Sequence, residues 1–114
     1  MKGRVVVTGM GLVTPGGKTV DETWKALLAG QSGAAPIERF DPERFDVRFA
    51  CEVKGFDPTD YMDRKEARRA DLFSQFGVAA AELAVQDAGW DRSKPAGNRV
   101  GVVIGSGIGG IKTF

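Results

Sequence analysis

Two runs rich in β-branched residues, each closed by glycine, and two stretches of helical apolar spacing between them predict an α/β chain built on a parallel sheet. The runs are residues 4–8 (RVVVT) and 99–105 (RVGVVIG), both continuous in apolar character, as suits strands buried on both faces. The order is strand, helix, irregular insertion, helix, strand. Two strands make a thin sheet, so the polypeptide is expected to continue beyond Phe114 in the native protein.

Each element has its own signals. Gly9 and Gly11 end the first strand. Thr19 with Glu22 three residues on forms a capping-box pattern, and Val20, Trp24, Leu27 and Leu28 then recur at helical spacing until Gly30 closes the helix. Residues 31–60 are punctuated by Gly33, Pro36, Pro42, Gly55 and Pro58 and read mostly as loop. Within them Val47, Phe49, Cys51 and Val53 alternate with Arg48, Ala50, Glu52 and Lys54, which predicts a short half-buried strand whose partner is not legible. Residues 63–88 contain no proline and only Gly77 as an internal glycine; their row Phe73, Phe76, Gly77, Ala80, Ala84, Ala88 predicts one long helix packed closely by its neighbours. Gly89 and Pro95 mark its exit, and the second strand runs into the glycine-rich SGIGG.

A length of 114 residues predicts one domain with a single hydrophobic core, and 42% hydrophobic with 27% charged residues is the balance of a chain that folds. The net charge of +1 provides no global attraction to nucleic acid or membrane, so electrostatic recognition has to be local. No apolar run approaches the roughly 20 residues of a spanning helix, and the N-terminus leads straight into a strand rather than a signal peptide, which predicts a cytoplasmic protein. The lone Cys51 excludes an internal disulfide. The absence of histidine removes the usual zinc sets and the commonest general base near neutral pH, so no metal and no catalytic residue is assigned. Cys51, on the apolar side of its strand with no histidine to activate it, reads as core packing.

Three local patterns carry possible chemistry. The GKT at 17–19 resembles the end of a phosphate-binding loop, but Leu12 stands where the first glycine belongs and Pro15 lacks an N–H, so a turn is the better reading. Gly105, Gly107 and Gly110 satisfy GxGxxG after a strand; a dinucleotide site and a sharply bending loop with Ile108 as its one large apolar side chain both remain open. Lys65, Arg68 and Arg69, spaced three and four apart beside Arg64, share one face near a helix N-terminus, where cations meet the positive end of the helix dipole. That face is either simply solvated or a docking patch for an acidic partner.

In residues 4–17 (RVVVTGMGLVTPGG), 23–33 (TWKALLAGQSG), 63–77 (DRKEARRADLFSQFG) and 99–110 (RVGVVIGSGIGG) the chain resembles the 3-oxoacyl-acyl-carrier-protein synthases of the thiolase fold, most closely type II, and the resemblance runs along the whole chain. It implies that residues 1–114 are the first part of the N-terminal half of a fold layered α-β-α-β-α, in a homodimeric condensing enzyme of fatty-acid elongation. Such an enzyme accepts an acyl chain from acyl carrier protein onto a cysteine and condenses it with malonyl-carrier protein, losing CO₂, without a cofactor. The nucleophilic cysteine and two histidines of that family lie downstream of these motifs, and Cys51 matches none of them. Lys65, Arg68 and Arg69 match the family's carrier-binding patch, Ile108 its acyl-pocket isoleucine, and Gly107, Gly109 and Gly110 the mobile loop around it. The motifs recur in polyketide ketosynthases and non-catalytic chain-length factors, which remain alternatives.

Overall fold

The structure is a computed structural model that describes residues 3–94 and 99–111. Pro95, read as part of the exit from the long helix, lies outside the described residues. Instead of the single core expected from length, the chain divides into two compact units, Leu12–Asp57 and Met1–Gly11 with Pro58–Phe114. Mixed helix and strand bear out the α/β class.

In the Leu12–Asp57 unit, a turn closed by Thr14 N–H to the Gly17 carbonyl at 2.8 Å leads to helix α1 (Val20–Leu28). The Thr19 side chain accepts from Glu22 N–H at 3.2 Å, as the sequence predicts, while the Glu22 carboxylate accepts from Lys18 N–H at 2.8 Å, one residue before the capping-box position. At the other end Gly30 takes a φ of +63°, and Gln31 N–H donates to the Ala26 carbonyl at 2.9 Å, the Schellman closure that glycine permits. The expected apolar face is not the covered one: Thr23 and Ala26 are buried, whereas Trp24, Leu27 and Leu28 are exposed. Thr23 is accommodated because its hydroxyl pairs with that of Thr14 at 3.0 Å.

The alternating stretch forms strand β2 (Phe49–Cys51), and its unread partner is β1 (Ala34–Pro36), antiparallel with Ala35 opposite Ala50. The face is again reversed, since Phe49 and Cys51 are exposed and Ala50 is half-buried. Cys51 is therefore not a core residue.

In the second unit a 3-10 turn (Pro58–Asp60) precedes helix α2 (Arg64–Ala67) and helix α3 (Leu72–Asp87). The single long helix expected over 63–88 is thus two helices, broken at 68–71. Asp71 has extended backbone (φ −65°, ψ 156°), which ends the helical path, and α3 restarts after it. The close packing expected of α3 is present: Ala79 is 0% exposed, and a Cβ added to Gly9 or Gly11 would run into the Ala84 or Ala80 carbonyl. Met10 N–H between them donates to Asp87 Oδ2 at 2.8 Å. Beyond the Schellman closure at Gly89 (φ +61°), Arg92 pairs with Glu82 and holds its carboxyl below the ordinary Glu value.

Residues 4–8 and 99–105 carry no strand among the described residues; Val5 is 97% and Val103 98% exposed. A strand is defined by its ladder, and these runs have no backbone partner here, so their apolar pattern shows what they suit rather than what they pair with.

Candidate functional site

The basic cluster is positioned by its two flanking caps. Asp63, with extended backbone, accepts at Oδ1 from Lys65 N–H at 2.6 Å and Glu66 N–H at 3.2 Å, which starts α2. The helix lasts one turn. Arg68 N–H reaches the Arg64 carbonyl at 3.3 Å, and Arg69 and Ala70 both donate to the Glu66 carbonyl, at 2.9 and 3.0 Å.

Arg68 is the αR C-cap and Arg69 follows it, so Lys65, Arg68 and Arg69 lie on the single turn of α2 and the connection that follows it. Arg68 and Arg69 sit between the C-terminal end of the short α2 and the N-terminal end of the longer α3. All three side chains, and Arg64, are exposed, and none forms an ion pair among the described residues. Ala67 is buried beneath them and fixes the inner side of the turn.

One residue essential to this geometry has no signal in the sequence. Gln75, in the first turns of α3, donates through Nε2 to the Ala67 carbonyl at 2.9 Å and the Ala70 carbonyl at 3.0 Å. The carbonyls on either side of Arg68 and Arg69 are satisfied by one amide that, on a continuous helix, would have been a surface glutamine.

The glycine-rich loop lies against the start of α3. Gly109 has a φ of +70°, a conformation side chains rarely adopt, and its N–H donates to Ser106 Oγ at 3.0 Å. A Cβ there would touch the Phe73 ring at 3.7 Å. Gly109 and Gly110 with Leu72, Phe73, Phe76, Ile111 and Asp71 line a hollow of about 270 Å³. Its walls are apolar and aromatic, the chemistry that accepts hydrocarbon. Gly107 has open space around it, and Ile108, 76% exposed, is not among the lining residues. In the sequence Phe73 is one member of an apolar row; its place beside the loop comes from the fold.

The competing sites fare differently. Residues 99–105, ahead of Gly105, Gly107 and Gly110, form no strand among the described residues, whereas a dinucleotide loop follows a strand. Thr14 and Gly17 close a turn on each other, as expected of the segment that imitates a phosphate loop. Cys51 borders an apolar hollow with Pro15, Ala26, Leu27 and Gly33, with no activating base. Among the described residues no group of three His, Cys, Asp or Glu is placed to hold a metal, and no helix is long and apolar enough to cross a membrane.

The chain belongs to the beta-ketoacyl synthase family: residues 2–113 match its N-terminal domain, which has the thiolase-like fold. It is 55% identical over 111 residues to 3-oxoacyl-[acyl-carrier-protein] synthase 2 of Vibrio cholerae, covering 97% of this chain and 27% of that protein. The same-named protein of Vibrio harveyi is 56% identical over 96% of this chain and 26% of its own length, and that of Synechocystis 47% over 99% and 27%. The chain thus spans about a quarter of the curated relatives it matches. Among solved structures, the ishigamide ketosynthase/chain length factor superposes with a TM-score of 0.71 at 41% identity, over 77% of this chain and 22% of the other.

Proposed function

We propose that this chain is the N-terminal part of a condensing enzyme of fatty-acid elongation, a cytoplasmic homodimer that joins an enzyme-bound acyl group to malonyl-acyl-carrier-protein with loss of CO₂. Within it, Lys65, Arg68 and Arg69 receive the acidic carrier protein. Ile108, on the hinge of Gly107, Gly109 and Gly110, borders the acyl pocket. The nucleophilic cysteine and its two histidines belong to sequence beyond this segment, so residues 1–114 supply recognition rather than bond-making, and no cofactor takes part.

The observation that carries this reading is the basic turn at 64–69, exposed and without acidic partners among the described residues, in a chain of the ketoacyl synthase family. An unpaired cluster of cations at a fixed turn steers and orients an acidic partner. The apolar hollow lined by Gly109 and Gly110, though not by Ile108, supports an acyl-accepting role for this loop region, because a hydrocarbon chain there meets Leu72, Phe73 and Phe76 rather than water.

The test reverses charge in the complete enzyme. Arg68→Glu with Arg69→Glu is expected to lower kcat/KM for carrier-bound acyl groups at least about tenfold while leaving small soluble thioesters near the unmodified rate. An equal loss on both substrates refutes the docking role. The likeness to the ketosynthase/chain length factor favours a second reading, a polyketide ketosynthase or a non-catalytic chain-length factor that shares the docking surface. Condensing activity of the complete protein separates the non-catalytic case from the others.

A further inference from the structure

We infer that Gln75 is a positioning residue for carrier docking: its amide, bonded to the Ala67 and Ala70 carbonyls, holds Arg68 and Arg69 in the conformation that meets the partner. The inference rests on the docking role proposed above and concerns what makes that patch a fixed shape rather than two mobile side chains on a loose connection.

A break at 68–71 separates α2 from α3. A one-turn helix has almost no stability of its own, because the cost of ordering its residues exceeds what one or two backbone bonds return. Its last carbonyls need partners that a continuing helix would have supplied. Glu66 O accepts from the Arg69 and Ala70 N–H groups, and Ala67 O and Ala70 O accept from the Gln75 amide. A glutamine amide has two N–H donors at the separation that spans two such carbonyls, and Gln75 is anchored on the 16-residue α3, the longest helix of the unit. The half-buried amide therefore ties the connection at 68–70 to a rigid element at both edges of the arginine pair. With the N-cap at Asp63 fixing the other end, the backbone bearing Lys65, Arg68 and Arg69 is held at three points.

Loss of the clamp frees the connection without removing any charge, so the partner has to order it on binding. That cost falls on carrier-bound substrate alone, since a small thioester does not touch the turn. In the complete enzyme, Gln75→Met keeps the length and apolar stem of the side chain and removes both donors. KM for acyl-carrier protein is expected to rise on the order of fivefold, the equivalent of reordering about one residue, with kcat and the KM for an N-acetylcysteamine thioester unchanged. Because KM does not depend on the fraction of enzyme that is folded, a lowered yield leaves the readout intact, and Gln75→Leu repeats it with a different shape. A purely structural role would lower activity on both substrates alike, and that result overturns the inference. If Arg68→Glu with Arg69→Glu is selective for carrier-bound substrate but Gln75→Met is silent, the positioning role falls and the docking role stands. If neither is selective, both fall together.

Discussion

Gly11 shows how one missing methyl group sets the approach of two segments. A Cβ there would be driven into the Ala80 carbonyl and lie 2.6 Å from Ala84 N and 2.9 Å from Leu83 Cβ, contacts that only a shift of the backbone relieves. Gly11→Ala in the complete protein should therefore cost about 3 kcal/mol, seen as a lower denaturation midpoint, and a loss under roughly 0.5 kcal/mol would show that the segment gives way. Ile108 makes the opposite kind of test. Placing a larger ring on the hinge, as Ile108→Phe, should penalise long acyl chains and spare short ones; an unchanged chain-length profile removes Ile108 from the pocket. At Gly11 the sequence signals a strand end and not the close approach that the glycine permits. Ala80, Ala84 and Ala88 announce a closely packed face, while the identity of the packing partner, some 70 residues earlier in the chain, depends on tertiary contacts that no local pattern encodes.

At the level of elements, helix ends were legible and helix continuity was not. Thr19, Glu22 and Gly30 bracket α1 within a residue of its observed limits, because caps are local chemistry. The break at 68–71 went unread because it uses neither proline nor glycine: Asp63 and Asp71 begin two separate helices, and Gln75 satisfies the carbonyls between them. The periodicity of α1 and β2 predicts covered apolar faces, yet in this chain the small residues Ala26 and Ala50 are the less exposed ones, since periodicity tells which side is apolar and not whether anything lies over it. The exit of α3 gives a pH test. Glu82 is held ionised by Arg92 and, more weakly, by Gln86, so its carboxyl titrates below the ordinary value of 4.5. A depressed folded-state value means the interaction stabilises fully above the ordinary range and is lost as pH falls through the lowered one. The stability difference between the native protein and Glu82→Gln should accordingly be constant near neutrality and vanish in acid; a difference that persists in acid would show that the pairing is not its origin.

For the molecule as a whole, family membership and α/β class were legible in four motifs, whereas the parallel sheet they imply is not assembled from the described residues. Val5, Val7, Val102 and Val103 are at least four-fifths exposed, in two runs suited to burial on both faces. Under the proposed function these valines belong to a sheet that this segment does not complete by itself, and the basic turn at 64–69 and the glycine-rich loop beside the apolar hollow are its recognition elements. The most direct test of that claim is to incubate the complete protein with an acyl-carrier thioester and malonyl-carrier protein and to follow CO₂ and product together. A condensing enzyme releases one CO₂ for each 3-oxoacyl product two carbons longer than the starting acyl group, and that ratio is expected. Carrier binding without either product would contradict it and identify a non-catalytic docking partner instead.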